Sequence, residues 1–280
     1  MGYLYETHLH TSQSSACASS RGAEFISRYR DLGFAGIMVT DHFFNSNTTF
    51  DRRRGWSEWV ASFCSGYEDA RNEGERQGLD VFFGWEETFD GDDYLIYGLD
   101  KAWLLEHPEM IRWTREEQFR EVHCSGGCVV HAHPFRQHKY IRTIMLAPCL
   151  VDSVEAANAG NKDAVYDAQA LEYARILGIS AVAGSDTHSI ENMDRNGGPY
   201  GIEVPEQFSS INDYVSFILS KQQAALHIPP GRCDFQGYNR DHPLIMQTEI
   251  RDPRDRPAVR RLFSFNEVST YVKNTLKEAG

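Results

Sequence analysis

AEFISRYRDLGFAGIMVTDH, residues 23–42, holds in twenty residues the unit on which the reading of the chain rests. Its apolar residues at 25, 26, 29 and 32 line one face of a helix, and Gly33 follows where a helix C-cap glycine belongs. FAGIMVT then runs short and almost wholly apolar, as a buried parallel strand does. The strand ends in Asp41 and His42, two residues with chemistry to offer.

The same order recurs along the chain. GYEDARNEGERQGLDVFFGWEE (66–87) gives a charged helix, Gly78, the strand DVFFGW, then Glu86 and Glu87. REEQFREVHCSGGCVVHAHP (115–134) gives a helix, Gly126-Gly127, the strand CVVHA, then His133-Pro134. DAVYDAQALEYARILGISAVAGSDTH (163–188) repeats it with apolar positions 165, 168, 171 and 174, Gly178, and a strand ending in Asp186 and His188. DSVEAAN (152–158) and DDYLIYGL (92–99) are further strands, and YLYETHLHT (3–11) opens the set. The spacing is too irregular for a solenoid. Helix, glycine, buried strand and polar terminus is the rhythm of an α/β barrel, whose reactive groups gather at the C-terminal ends of the strands. The two-residue strand period puts Glu6, His8 and His10 on one side of the first strand. Histidines and carboxylates at matching strand ends then converge on one point, which predicts a metal cluster at the barrel mouth.

The 280 residues suffice for one large domain or two small ones, and 41% hydrophobic with 24% charged residues is ordinary for a globular protein. A net charge of −12 disfavours long nucleic acid and anionic membranes. No run approaches a membrane span, and the N-terminus carries no basic-then-apolar leader. Six scattered cysteines without a C-x-x-C pair read as reduced thiols, so the expected location is cytoplasmic. Of the eleven histidines, His107, His123, His138, His227 and His242 read as surface or core residues, and His131 as a core or supporting residue deeper on the face of His133.

HLHT (8–11), TDH (40–42), GWE (84–86), AHP (132–134) and GSDTH (184–188), in that order, resemble the polymerase and histidinol phosphatase (PHP) superfamily over roughly residues 3–205. The resemblance implies a distorted (β/α)7 TIM-like barrel, with a two- or three-metal centre that hydrolyses phosphate esters. It implies His8 and His10 as the first pair of ligands with Asp186, and Glu86 as the carboxylate bridging two metals. His42 and His188 would serve a second or third ion, and His133 another. Imidazole and carboxylate together suit zinc, manganese or iron. Two positions depart from the family pattern. Where a histidine or aspartate often follows the H-x-H, this chain reads SQSSACA (12–18), in which Cys17 is either a soft ligand or a structural thiol. Where a histidine often follows the bridging glutamate, it offers Tyr94, or Asp92 and Asp93.

The function expected is hydrolysis of a small phosphorylated metabolite or nucleotide by metal-activated water. Phosphodiesterase or exonuclease action on nucleotides, or a degenerate metal-binding regulatory module, are the alternatives. Asp41 either orients a ligand histidine or caps a helix in the following loop. Arg136 either grips phosphate or is a surface arginine. The loop 43–66 lies on the reactive face. Its Arg52, Arg53 and Arg54 beside Trp56 read as a solvated charge run or as a binder of an anionic ring-bearing substrate. Residues 1–205 form the metal-binding barrel. Residues 206–280 form a helical extension, arginine-rich near 251–261, packed on the barrel or on a second copy.

Overall fold

The computed structural model describes residues 2–89, 91–138, 141, 143–234, 243–251 and 260–279, and the side chains at 143, 145, 243–251 and 260–264 fall outside that description. The elements run β1 (Tyr3–Leu9), α1 (Gly22–Asp31), β2 (Phe34–Val39), α2 (Trp56–Phe63), α3 (Ser65–Gln77), β3 (Asp80–Phe89), β4 (Asp92–Tyr97), α4 (Lys101–Glu106), α5 (Arg115–Cys124) and β5 (Cys128–His131). There follow β6 (Thr143–Met145), β7 (Ser153–Asn158), α6 (Ala164–Leu177), β8 (Ser180–Gly184), β9 (Gly201–Val204), α7 (Ile211–Leu219), β10 (Ala225–His227), β11 (Pro243–Arg251), β12 (Arg260–Ser264) and α8 (Phe265–Ala279). Gly78 and Gly178 close α3 and α6 in the left-handed region, at φ of 74° and 67°, which only glycine adopts without a steric cost.

The main sheet has the order β10-β9-β1-β2-β3-β4-β5-β7-β8. It nearly closes on itself, because the Asp186 amide reaches the His8 carbonyl at 2.9 Å and the His10 amide reaches the Thr187 carbonyl at 2.9 Å. Seven strands, β1 to β5 with β7 and β8, make the barrel, and every one was legible as a strand. One runs the other way: β4 is antiparallel to both β3 and β5. Only residues 90 and 91 separate β3 from β4, too few for the crossover that parallel strands require, so the pair is a hairpin.

Tyr5, Met38, Leu95, Val130 and Val182 come from five different barrel strands yet form one buried cluster, which places them in the barrel interior. Phe208 and, from α7, Tyr214, Val215, Phe217 and Ile218 complete that cluster, so the segment after residue 205 plugs one end of the barrel. Each such side chain contributes roughly 1.5–3 kcal/mol when fully buried. The tail also carries strands that its helical pattern did not announce. β10 extends the main sheet, while β11 and β12 join β6 in a three-stranded sheet. The helix expected at the end of the chain is α8, whose Phe265, Val268, Tyr271 and Val272 pack with Phe135, Val154 and Tyr173. The arginine-rich stretch near 251–261 and His242 lie outside the described residues or side chains. No described helix is long and apolar enough to cross a membrane.

One face assignment is corrected. Glu6 does not join His8 and His10, because the β1–β2 register slips between Glu6↔Ile37 and Leu9↔Val39, three residues on β1 against two on β2. The extra residue reverses the strand's faces at that point. The Glu6 carboxylate instead accepts from the amides of His8 (2.9 Å) and Ser185 (2.8 Å) and from the Tyr29 hydroxyl (2.7 Å).

Candidate metal centre

His8, His10, His42, Glu86, His133, Asp186 and His188 come together at the open end of the barrel. Their ligand atoms fall into overlapping sets: His8, His10 and Glu86; His8, His133 and Asp186; Glu86, Asp93 and His133; and His10, His42 and His188. The open choice among Asp92, Asp93 and Tyr94 is resolved by the pleat of β4. Asp93 faces the cluster, its carboxylate 4.0 Å from His133 Nε2. Asp92 and Tyr94 turn away, where Asp92 accepts from the Tyr94 hydroxyl (2.8 Å) and lies 2.8 Å from His131 Nε2. His131 is thereby a core residue and does not share the face of His133. His133 and Asp186 both adopt left-handed backbone, at φ of 29° and 52°, an arrangement that costs on the order of 1–3 kcal/mol at a non-glycine residue and clusters at functional sites. His107, His123, His138 and His227 stand outside the cluster, as expected.

The tautomers of the first two histidines follow from their partners. His8 Nδ1 lies 2.9 Å from Glu155 Oε1, and a carboxylate can only accept, so Nδ1 carries the proton. His10 Nδ1 lies 3.2 Å from the Ser15 hydroxyl, which itself donates to Asp41 at 2.7 Å and therefore accepts from His10. Asp41 also accepts from the Thr11 amide (2.6 Å) and hydroxyl (2.7 Å). The structure thus places Asp41 behind a cluster histidine, through Ser15. With both Nδ1 atoms spoken for, the two Nε2 atoms face each other at 3.0 Å, with Asp186 Oδ1 at 3.5 and 3.1 Å and Glu86 oxygens at 3.4 and 3.5 Å. Two imidazole nitrogens and three carboxylate oxygens around one small volume form the donor set of a cation. Glu86 Oε2, fully buried, has an imidazole nitrogen for its near neighbour, His42 Nδ1 at 2.6 Å. The residues therefore fit divalent metal.

Charge follows the same logic. Burial works to raise Glu86, but His42, His8 and His133 outweigh it and hold the carboxyl well below its usual range. Burial also opposes the ionised form of Asp186, while Arg136 and His8 pull it well below. Burial, joined by the charge of Glu86, pushes Asp93 up to about 6. Burial, then the neighbouring His42 and His188, lowers His10 well below its ordinary value.

Arg136 is neither a free surface side chain nor directed wholly at solvent. It lines the cavity beside the cluster, and its guanidinium donates to Asp186 Oδ2 (2.7 Å), Asn158 Oδ1 (2.6 Å) and Asn161 Oδ1 (2.8 Å). That cavity, about 460 Å³, is bordered also by Cys17, Ser46, Asn47 and Thr88. Arg52, Arg53 and Arg54 do not border it. Arg52 donates to the carbonyls of Phe44 and Ser46, Arg53 pairs with Asp51 and Arg54 with Glu58, which is the solvated run. Trp56 spends its indole N–H on the Leu104 carbonyl at 2.7 Å.

Glu155 was missed in sequence. It sits in mid-strand on β7, fully buried, and accepts from His8 Nδ1, the His133 amide (3.0 Å) and Asn158 Nδ2 (2.9 Å). The one signal was a carboxylate inside the otherwise apolar run SVEAA. Ser15, the link between Asp41 and His10, carried no signal within its polar loop.

No family model matches this chain, and no curated protein does. Solved structures do match it in fold. A two-domain protein from Bacteroides vulgatus, containing a predicted PHP-like metal-dependent phosphoesterase, is 14% identical with a TM-score of 0.57, over 81% of this chain and 65% of that one. This chain therefore spans less than two thirds of that protein. PsfC from Pseudomonas syringae is 16% identical, with a TM-score of 0.54, over 84% of this chain and 96% of that one. A candidate metal-dependent phosphoesterase from Bifidobacterium adolescentis is 15% identical, with a TM-score of 0.50, over 78% and 96%. The chain has the fold of PHP-like proteins, the distorted barrel that its motifs resembled.

Proposed function

We propose that this protein is a metal-dependent phosphoesterase that hydrolyses a small phosphorylated metabolite or nucleotide. The observation that carries the proposal is the pair of histidine Nε2 atoms 3.0 Å apart beside Asp186 and Glu86, at the edge of a cavity of about 460 Å³. His8, His10, Glu86 and Asp186 would hold one ion, Glu86, Asp93 and His133 a second, and His42 with His188 a third. Ions in such a centre activate a water and neutralise the phosphoryl oxygens. The carboxylates of Glu86 and Asp186 would repel a phosphate dianion without them. Zinc, manganese and iron all suit this donor set.

The remaining roles belong to the chain. Glu155 and the Asp41–Ser15 pair hold His8 and His10 in the ligand tautomer. Glu86 turns one oxygen toward His133 (3.2 Å) and the other toward His42 (2.6 Å), as a bridging group must. Arg136 holds Asp186 and adds its positive charge to the lining of the cavity. The deciding experiment loads the metal-free protein with zinc, manganese or ferrous iron and measures phosphate release from p-nitrophenyl phosphate and from mononucleotides. Turnover that a chelator and His133→Ala both abolish supports the proposal. A metal-replete protein inert on monoesters and on dinucleotides alike would instead indicate a regulatory metal-binding module.

A further inference from the structure

We infer that Asp167 and Arg232, neither of them among the cluster residues, are positioning residues for the metal centre: they aim asparagine carbonyls at Arg136 and so hold its guanidinium on Asp186. The inference rests on the metal-centre reading above and extends it to the segment after residue 205, where Arg232 follows β10. A guanidinium only donates, so the groups around Arg136 must present oxygens to it. Asp186 has nothing else to present. Asn158 and Asn161 do, because an amide can be turned to show either its oxygen or its NH2. What fixes each one is the acceptor that waits for the NH2. Asn158 Nδ2 donates to Glu155 Oε2 at 2.9 Å, and Asn161 Nδ2 donates to Asp167 Oδ1 at 2.6 Å. Their oxygens are thereby turned to Arg136, toward Nη2 at 2.6 Å and Nε at 2.8 Å, while Nη1 reaches Asp186 Oδ2 at 2.7 Å.

Asp167 is placed for this by its helix. It is the fourth residue of α6, and helical side chains tilt back toward the N-terminus, here toward the loop that bears both asparagines. Its Oδ1 also accepts from the Asn158 amide at 3.2 Å. A fully buried carboxylate needs a paired charge, and Arg232 supplies it. Arg232 Nε donates to Asp167 Oδ2, and Nη2 donates to the Asn161 carbonyl at 2.6 Å. The same guanidinium lies 6.0 Å from the centre of the Tyr200 ring. From the loop after β8, Asn196 Nδ2 donates to the carbonyls of Ala159 and Asn161, at 2.6 and 3.0 Å. Three parts of the chain thus converge on residues 158–161 and fix the side chains that grip Arg136. Asp167→Asn undoes this arrangement at one atom, since asparagine keeps a single oxygen for Arg232 and Asn161 together. The charged donor takes that oxygen, and the new NH2 faces Asn161. Asn161 must then turn over, and its own NH2 confronts Arg136 Nε.

The test measures the zinc affinity of the full chain by competition with a chromophoric chelator, in a cycle of Asp167→Asn, Arg136→Ala and the double variant. Each single variant is expected to weaken zinc binding about 10-fold, and the double variant no further than Arg136→Ala alone. A clamp that served only the shape of the loop would weaken binding by the same factor whether or not Arg136 is present. Additive losses therefore overturn the inference, as does wild-type affinity in Asp167→Asn. Arg232→Met, taken through the same cycle with the same two outcomes, carries the test if Asp167→Asn does not fold. A wild type that binds zinc but releases no phosphate from p-nitrophenyl phosphate overturns the phosphoesterase reading and leaves the positioning role to be decided by the cycle. A wild type that binds no zinc overturns both.

Discussion

Replacing Glu155 with glutamine tests whether the carboxylate behind His8 sets its tautomer. The wild-type carboxylate accepts three hydrogen bonds, from His8 Nδ1 on one oxygen and from the His133 amide and Asn158 Nδ2 on the other. Glutamine keeps the shape but supplies only one oxygen. Turned toward His8, that oxygen leaves two buried donors facing an NH2 group, at a cost of about 1–3 kcal/mol each. Turned the other way, it satisfies both and presents the NH2 to His8. The ring must then accept at Nδ1 and carry its proton on Nε2, where a ligand is needed. The second arrangement strands fewer buried donors, so it should prevail and the His8 ligand should be lost to the wrong tautomer. Loss of such a supporting carboxylate typically lowers metal affinity about 10–100-fold, equivalent to about 1.4–2.8 kcal/mol. Competition against a chromophoric chelator measures this directly, and 15N chemical shifts of the histidine rings report which nitrogen holds the proton. Unchanged affinity with Nδ1 still protonated would refute the tautomer argument. A lost affinity with an unchanged tautomer would locate the effect in the His133 amide instead.

Other perturbations follow from the same contacts. Arg136→Ala should weaken metal binding as well as turnover, since Asp186 loses its 2.7 Å partner; a change in KM alone, with metal affinity intact, would show that the arginine serves only the substrate. Gly160→Ala places a methyl carbon 3.0 Å from Arg136 Nη2 and 3.1 Å from Asp186 Oδ2. It should therefore lower metal affinity with little effect on the melting temperature of the metal-free protein, and equal affinity in a titration would refute the crowding argument. Glu87 is buried away from solvent, and burial pushes its carboxyl from the ordinary 4.5 up to about 8. Between those values the folded state keeps a proton that the unfolded chain has released, so this group's contribution to stability falls as pH rises. Glu87→Gln should therefore gain in melting temperature relative to wild type between about pH 5 and about pH 8, and parallel pH profiles would show that Glu87 is already ionised when folded.

The parts of this molecule that sequence disclosed are those whose signal is local. A helix, a glycine, an apolar run and a terminal histidine or carboxylate can be read in one window at four of the barrel strands, the other three show as apolar runs, and the seven residues proposed for the cluster lie close together. What stayed hidden depends on pairing. Glu6 reads as a neighbour of His8 until a one-residue bulge, visible only against β2, turns its side chain away. Asp93 cannot be told from Asp92 or Tyr94 without the register of β4 on β5. Glu155 carries no spacing relation to His8, 147 residues earlier in the chain. The partners of Arg136 come from the end of β7, the loop after it and the loop after β8, whose meeting is a property of the closed barrel.

The reversed strand ties these observations together. In a barrel of parallel strands, chemistry at the mouth comes from strand C-termini and the loops after them. Because β4 runs the other way, its N-terminal end lies at the mouth, and Asp93 is its second residue. The hairpin glycine, Gly91, at φ of 90°, borders the cavity itself. A helical crossover at this place would have required a dozen residues or more and would have put a long loop over the cluster. The short turn instead places Asp93 opposite Thr88 on β3, two residues from Glu86, with the Thr88 hydroxyl donating to its carboxylate at 2.6 Å. Two carboxylates from one hairpin thus meet His133, two residues past the end of β5, and the cavity stays open above them. The departure from the α/β rhythm is therefore what completes the Glu86–Asp93–His133 set.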